Sequence, residues 1–112
     1  LNHDPYNGSD VTWNALRLCG TLLNKTVGVK LFLRNDAVDL ARDETMKPDI
    51  YDHDLVAMLK DLYLRGVSLK VCGTCMARCG IHRNRPYFSE NIGGTMNDLA
   101  EWIVESDTVL TF

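Results

Sequence analysis

Missing from this chain is any apolar run approaching the roughly 20 residues that a membrane-spanning helix requires. Basic charge is not in excess: 12 Lys and Arg face 15 Asp and Glu, a formal net charge of −3. General nucleic-acid binding is therefore not expected, because it needs an extended basic footprint. No signal-peptide pattern, internal repeat, low-complexity tract or linker interrupts the chain. P-loop, G-x-G-x-x-G and serine-triad patterns are absent, and Gly8 and the Gly93-Gly94 pair lack the spacing of a phosphate cradle. Asn7-Gly8-Ser9 and Asn24-Lys25-Thr26 fit the glycosylation tripeptide, a match that is frequent by chance. His3 and His53 have no evident partner and receive no role. What these exclusions leave is a single domain of 112 residues, 46% of them hydrophobic. A core of that size needs no disulfide staples, so the cysteines are expected to be reduced thiols in a cytoplasmic protein.

Residues 1–9 read as the end of a strand followed by a Pro/Asn/Gly loop. Ser9 or Asp10 then caps a helix whose apolar stripe is Val11, Trp13, Leu16, Cys19, Gly20 and Leu23. Cys19 lies on that stripe and reads as a buried, inert thiol. Residues 27–33 are apolar enough for a strand covered on both faces, and residues 37–41 suggest a short helix. The polar stretch 42–52, with Pro48, predicts a flexible loop beside the site. A helix is expected over 53–65, buried through Leu55, Met58, Leu59 and Leu62, capped by Asp52 and stopped by Gly66. Alternation over 67–71 predicts a second strand, and residues 83–94 read as irregular. Thr95 caps a last long helix with the stripe Met96, Leu99, Ala100, Ile103 and Val104, before a closing strand at 108–112. Strand and helix in alternation predict an α/β fold, a Rossmann-like three-layer sandwich with a mostly parallel sheet and right-handed crossovers. The first helix calls for a preceding strand, of which Leu1-Asn2 is the visible end. A truncated first strand, short of about four to six apolar residues upstream, is expected from typical strand lengths.

The chemistry concentrates in one stretch, Cys72-Gly73-Thr74-Cys75-Met76-Ala77-Arg78-Cys79-Gly80-Ile81-His82, which holds three of the four cysteines. Gly73 breaks the preceding strand and places Cys72 at its C-terminal end, the edge where ligands bind in open parallel sheets. Arg78, Arg83 and Arg85 add positive charge that favours thiolate, although an arginine cluster also suits a solvated loop. Three readings stand. The first is a dithiol redox pair, Cys72 with Cys75; Gly80 would cut short the helix that such a motif opens. The second is a zinc or iron–sulfur module using Cys72, Cys75, Cys79 and His82, whose C-x2-C-x3-C-x2-H spacing demands a tight wrap. The third is a single nucleophilic or sulfur-carrying thiol, Cys72, with Cys75 and Cys79 resolving or modulating it. Blander alternatives stand beside them: Cys75 and Cys79 packed on one side of a helical turn, and His82 as a loop-ordering residue.

Further residues carry a resemblance. Pro5-Tyr6, Asn14-Ala15-Leu16-Arg17-Leu18, Leu31-Phe32-Leu33 with Asp36-Ala37-Val38, Val71-Cys72-x-Thr74-Cys75 leading to Gly80-Ile81, and the ending from Leu99 to Phe112 span almost the whole chain. Together they resemble the DsrE/TusD family of small sulfur-relay proteins, and within it the YchN-like branch. The resemblance implies a parallel α/β sheet and assembly into trimers or hexamers, with sulfur donor and acceptor proteins as further partners. It also implies a persulfide carried on one cysteine, which counting back eight residues from Gly80 puts at Cys72. Cys75 and Cys79 depart from the relay members, which generally lack them. The expected sulfurtransferase-like site is then Cys72 with Cys75, Arg78 and Cys79, and no cofactor.

Overall fold

Parallel pairing of short apolar runs builds the sheet of this computed structural model, which describes residues 1–41, 47–78 and 90–112. β1 (Lys30–Leu33) pairs with β2 (Ser68–Cys72), setting Leu31 opposite Leu69 and Leu33 opposite Val71. β3 (Gly93–Gly94) lies on the other side of β2, with Gly93 against Val71 and Gly94 against Cys72. The strand order is β1-β2-β3. At the free side of β1, the Leu1 nitrogen donates to the Phe32 carbonyl and the Leu1 carbonyl accepts from the Arg34 N–H, both at 2.9 Å. That two-bond pattern is a parallel step with Leu33 at its centre. One residue on, the Asn2 N–H donates to the Phe112 carbonyl at 2.8 Å. Residues 108–112 thus reach the sheet edge, but this bond makes no ladder, and the expected closing strand is not a strand here.

Alternation along β1 and β2 sorts side chains between two faces. Leu31, Leu33, Leu69 and Val71 join Leu16 and Cys19 of α1 (Val11–Asn24) and Leu55, Leu59 and Leu62 of α2 (Leu55–Leu64) in one core. Phe32 and Lys70 face the other way, toward α4 (Met96–Glu105). There Trp102 meets Phe32 edge-on at 6.0 Å, Asp98 pairs with Lys70 at 3.2 Å and Glu105 pairs with Lys30. Helices therefore cover both faces, the three layers that the alternation predicts.

Local chemistry explains the helix ends. Asp54, rather than Asp52, caps α2 by accepting the Ala57 N–H at 3.0 Å. Past its end Gly66, at φ +109°, closes the helix with paired bonds from Gly66 N–H to the Tyr63 carbonyl and from Val67 N–H to the Leu62 carbonyl. α1 ends the same way, with Thr26 at φ 62° in glycine's place and Val27 N–H on the Leu22 carbonyl. Val27 is thereby spent on the turn, and β1 begins three residues later than its apolar run suggests.

The stripe expected to bury α4 does not do so. Met96 is 61% exposed, Ile103 48% and Val104 86%. The reason lies in the sheet, which offers Lys30 and Lys70 on this face; α4 answers with Asp98, Trp102 and Glu105, spaced at four and three residues along one side. Lys30 and Lys70 each lie within 5.6 Å of the Trp102 ring centre. Its apolar side is left outward.

Candidate functional site: two thiols at the C-terminal edge of β2

Cys72 is the last residue of β2, as the break at Gly73 predicts, and α3 (Gly73–Arg78) starts immediately after it. The Cys72-x-x-Cys75 motif therefore does open a helix, if a short one, which weakens the ground on which the sequence disfavoured a dithiol pair. By alternation Cys72 points to the α4 side, with Lys70 and Phe32, and it takes no part in the core between the sheet and α1 and α2. It is 4% exposed. The strand end is enclosed, with β3 paired alongside it at Gly94.

Backbone N–H groups reach both thiols. The Cys75 N–H points at Cys72 Sγ, 3.4 Å away, and the Asn35 N–H at Cys75 Sγ, 3.2 Å away. Asn35 opens the 3-10 helix Asn35–Ala41 directly after β1, so the parallel pairing of β1 with β2 brings it to the same sheet edge. Its φ is 51°, a left-handed conformation tolerated best by Gly, Asn and Asp. Cys75 itself is half-buried. Asn35 is a site residue that the sequence reading passed over. The visible signal was an Asn in the polar break Arg34-Asn35-Asp36 after an apolar strand.

Of the other candidates, Arg78 closes α3, and its side chain is outside what is described. Cys79, His82, Arg83 and Arg85 also lie outside the described residues. Two of the four donors of the metal reading, Cys72 and Cys75, are brought together; among the described residues no group of three or more His, Cys, Asp or Glu side chains is placed to hold a metal ion. Cys19 sits on α1 in the core, and burial pushes its thiol above the usual range, the inert state expected of it. His53 does find a partner: it stacks on Trp13 at 4.6 Å, with the Arg17 guanidinium 4.4 Å from the same ring. Trp13 and His53, with Gly8, Asp10 and Tyr51, line a shallow cavity of about 220 Å3.

A thiol at the C-terminal end of the middle strand of a short parallel sheet, with helices on both faces, is an α/β Rossmann-like arrangement, and this chain belongs to the DsrE/DsrF-like family, whose model matches residues 1–112. The protein YchN of Escherichia coli is 35% identical over 113 residues, covering 99% of this chain and 93% of YchN. An uncharacterized protein of Methanopyrus kandleri is 33% identical over 113 residues, 100% of this chain and 89% of its own length. In three dimensions the crystal structure of the E. coli YchN protein is similar with a TM-score of 0.81 at 32% identity, covering 99% of this chain and 93% of that one. Among the described residues no helix is long and apolar enough to cross a membrane.

Proposed function

We propose that this protein is a small sulfur-relay protein that carries sulfane sulfur as a persulfide on Cys72, in the reducing cytoplasm. The observation that carries the reading is the Cys75 N–H aimed at Cys72 Sγ at the C-terminal edge of a parallel strand. A backbone donor of this kind stabilises Cys72 Sγ when it bears negative charge, as the attacking thiolate before the transfer. In the step itself the Cys72 thiolate attacks the outer sulfur of a donor persulfide, a sulfur–sulfur bond forms to Cys72, and the donor leaves as thiolate. Arg78, with Arg83 and Arg85, supplies positive charge along the chain, and Cys75 and Cys79 are the neighbouring thiols. Burial of Cys72 favours small donors, or protein partners that present the sulfur on a narrow tip. The working form is a homo-oligomer, a trimer or hexamer, for which the outward apolar side of α4 is the natural seam.

The start of α3 straight after Cys72 keeps a second reading, a dithiol redox protein, in view. Incubation with inorganic polysulfide followed by peptide mass spectrometry separates the two. Added sulfur is expected on Cys72, lost in Cys72→Ser and kept in Cys75→Ser. If Cys72→Ser takes up as much sulfur as Cys75→Ser, or Cys75→Ser is not labelled, the carrier reading fails. The metal reading is checked on the same samples: near-stoichiometric zinc or iron, with a melting temperature that collapses in chelator, would replace the carrier by a Cys72, Cys75, Cys79 and His82 module.

A further inference from the structure

Cys72 and Cys75 differ in a way that a simple carrier does not require. Cys72 is enclosed, and the backbone of Cys75 is hydrogen-bonded to its sulfur at 3.4 Å; Cys75 is half-buried, and its own sulfur is held from a third element by the Asn35 N–H at 3.2 Å. A sulfur loaded on Cys72 therefore has the backbone N–H of a second thiol residue against its inner atom, while a bulky outside acceptor meets a covered strand end. Asn35 holds a left-handed backbone, φ 51°, where most residues are strained. Strain of this sort persists where its surroundings impose it, and here its product is one N–H directed at Cys75.

We propose that Cys75, positioned by Asn35, discharges the Cys72 persulfide as hydrosulfide, so that the protein reduces sulfane sulfur as well as carrying it. The proposal rests on the carrier reading. The Cys75 sulfur attacks Cys72 Sγ, the inner sulfur; a Cys72–Cys75 disulfide bond forms and the bond from Cys72 to the outer sulfur breaks. That outer sulfur leaves with the bonding pair and the Cys75 proton as hydrosulfide. Two thiol sulfurs are oxidised and one sulfane sulfur is reduced, so no outside oxidant is consumed. A low-molecular-weight thiol or dithiol then reduces the disulfide and resets the pair. Asn35 is a positioning residue: its N–H supports negative charge on Cys75 as the attack begins.

The test loads the full chain briefly with inorganic polysulfide, removes the donor by gel filtration and follows sulfide release without reductant. Wild-type protein is expected to release about one sulfide per loaded Cys72, leaving a 72–75 disulfide by peptide mapping, in keeping with the two-thiol stoichiometry. Cys75→Ser should load equally and hold its persulfide at least about tenfold longer. Asn35→Gly, which adopts the left-handed backbone freely, should match the wild type, whereas Asn35→Val should load normally and release about tenfold more slowly, the scale of one lost hydrogen bond to a charged group. Loading without release, unchanged release in Cys75→Ser, or a disulfide from Cys72 to Cys79 overturns this proposal alone. Equal release from Asn35→Val removes the role of Asn35, and a wild type that never loads overturns the carrier reading with it.

Discussion

Among the described residues, two other than glycine hold positive φ, and they illustrate how one backbone geometry serves different ends. Thr26 turns the chain out of α1; its left-handed backbone lets Thr26 N–H and Val27 N–H satisfy the last helical carbonyls. A β-branched residue is poorly suited to that conformation. Thr26→Gly is therefore expected to stabilise the protein by about 1 kcal/mol, the lower end of the left-handed penalty. Thermal denaturation should show this as a melting point raised by about 4 °C, a typical shift for a domain of this size. Asn35 lies instead beside a thiol, and its replacement by glycine is expected to leave function intact. Cys19 marks the opposite extreme. Burial raises its thiol above the usual range, so iodoacetamide at neutral pH should leave it unmodified in the native protein and modify it once denaturant is added. Mass spectrometry of the Cys19 peptide checks this directly.

At the scale of elements, α4 is attached more by polar chemistry than by burial. Thr95 and Asp98 form a reciprocal capping box: the Thr95 hydroxyl accepts the Asp98 N–H at 3.1 Å, and the Asp98 carboxylate accepts the Thr95 N–H at 2.9 Å. Removing the cap with Thr95→Ala should cost about 1 kcal/mol, measured by urea denaturation. The Thr95 N–H, and then Lys70, hold the Asp98 carboxyl below its usual range. A carboxyl depressed on folding contributes stability that is complete above its unfolded value, near pH 4 by the usual reference for Asp, and lost as pH falls through the lower folded value. Denaturation curves on the acid side of pH 4 should therefore show a decline that Asp98→Asn lacks. β3 depends on the absence of a side chain: a Cβ on Gly94 would stand 3.0 Å from Lys70 Cβ and 3.3 Å from Phe32 Cε2. Gly94→Ala should push Lys70 and Phe32 aside and loosen the strand that encloses Cys72, which faster alkylation of Cys72 would reveal.

At the scale of the whole molecule, the apolar side of α4 faces outward. Leu64, at the end of α2, is exposed, whereas Ile92 is core. Met96, Ile103 and Val104 join Leu64 as uncovered side chains. Burying such surface contributes roughly 25 cal/mol per Å2 before the cost of association. Light scattering is expected to give a trimer or hexamer at micromolar concentration, and Ile103→Asp with Val104→Asp to give a monomer of unchanged circular dichroism. A wild-type monomer would contradict the assembly.

What the sequence by itself determined is what local signals determine. The 2- and 3.6-residue periodicities placed β2, α2 and α4, Gly66 marked a helix stop through its positive φ, and Gly73 left Cys72 at a strand end. Each of these depends on a handful of neighbours along the chain. Tertiary structure decided the rest. Two glycines became a strand because β2 offered an open edge, not because of any alternation in their own sequence. α4 took its charged side to the sheet because Lys30 and Lys70 were waiting there. The environment of Cys75 came from Asn35, 40 residues away in sequence. A backbone N–H carries no sequence signature, and its direction is set only once two parallel strands have fixed which loop stands beside which thiol.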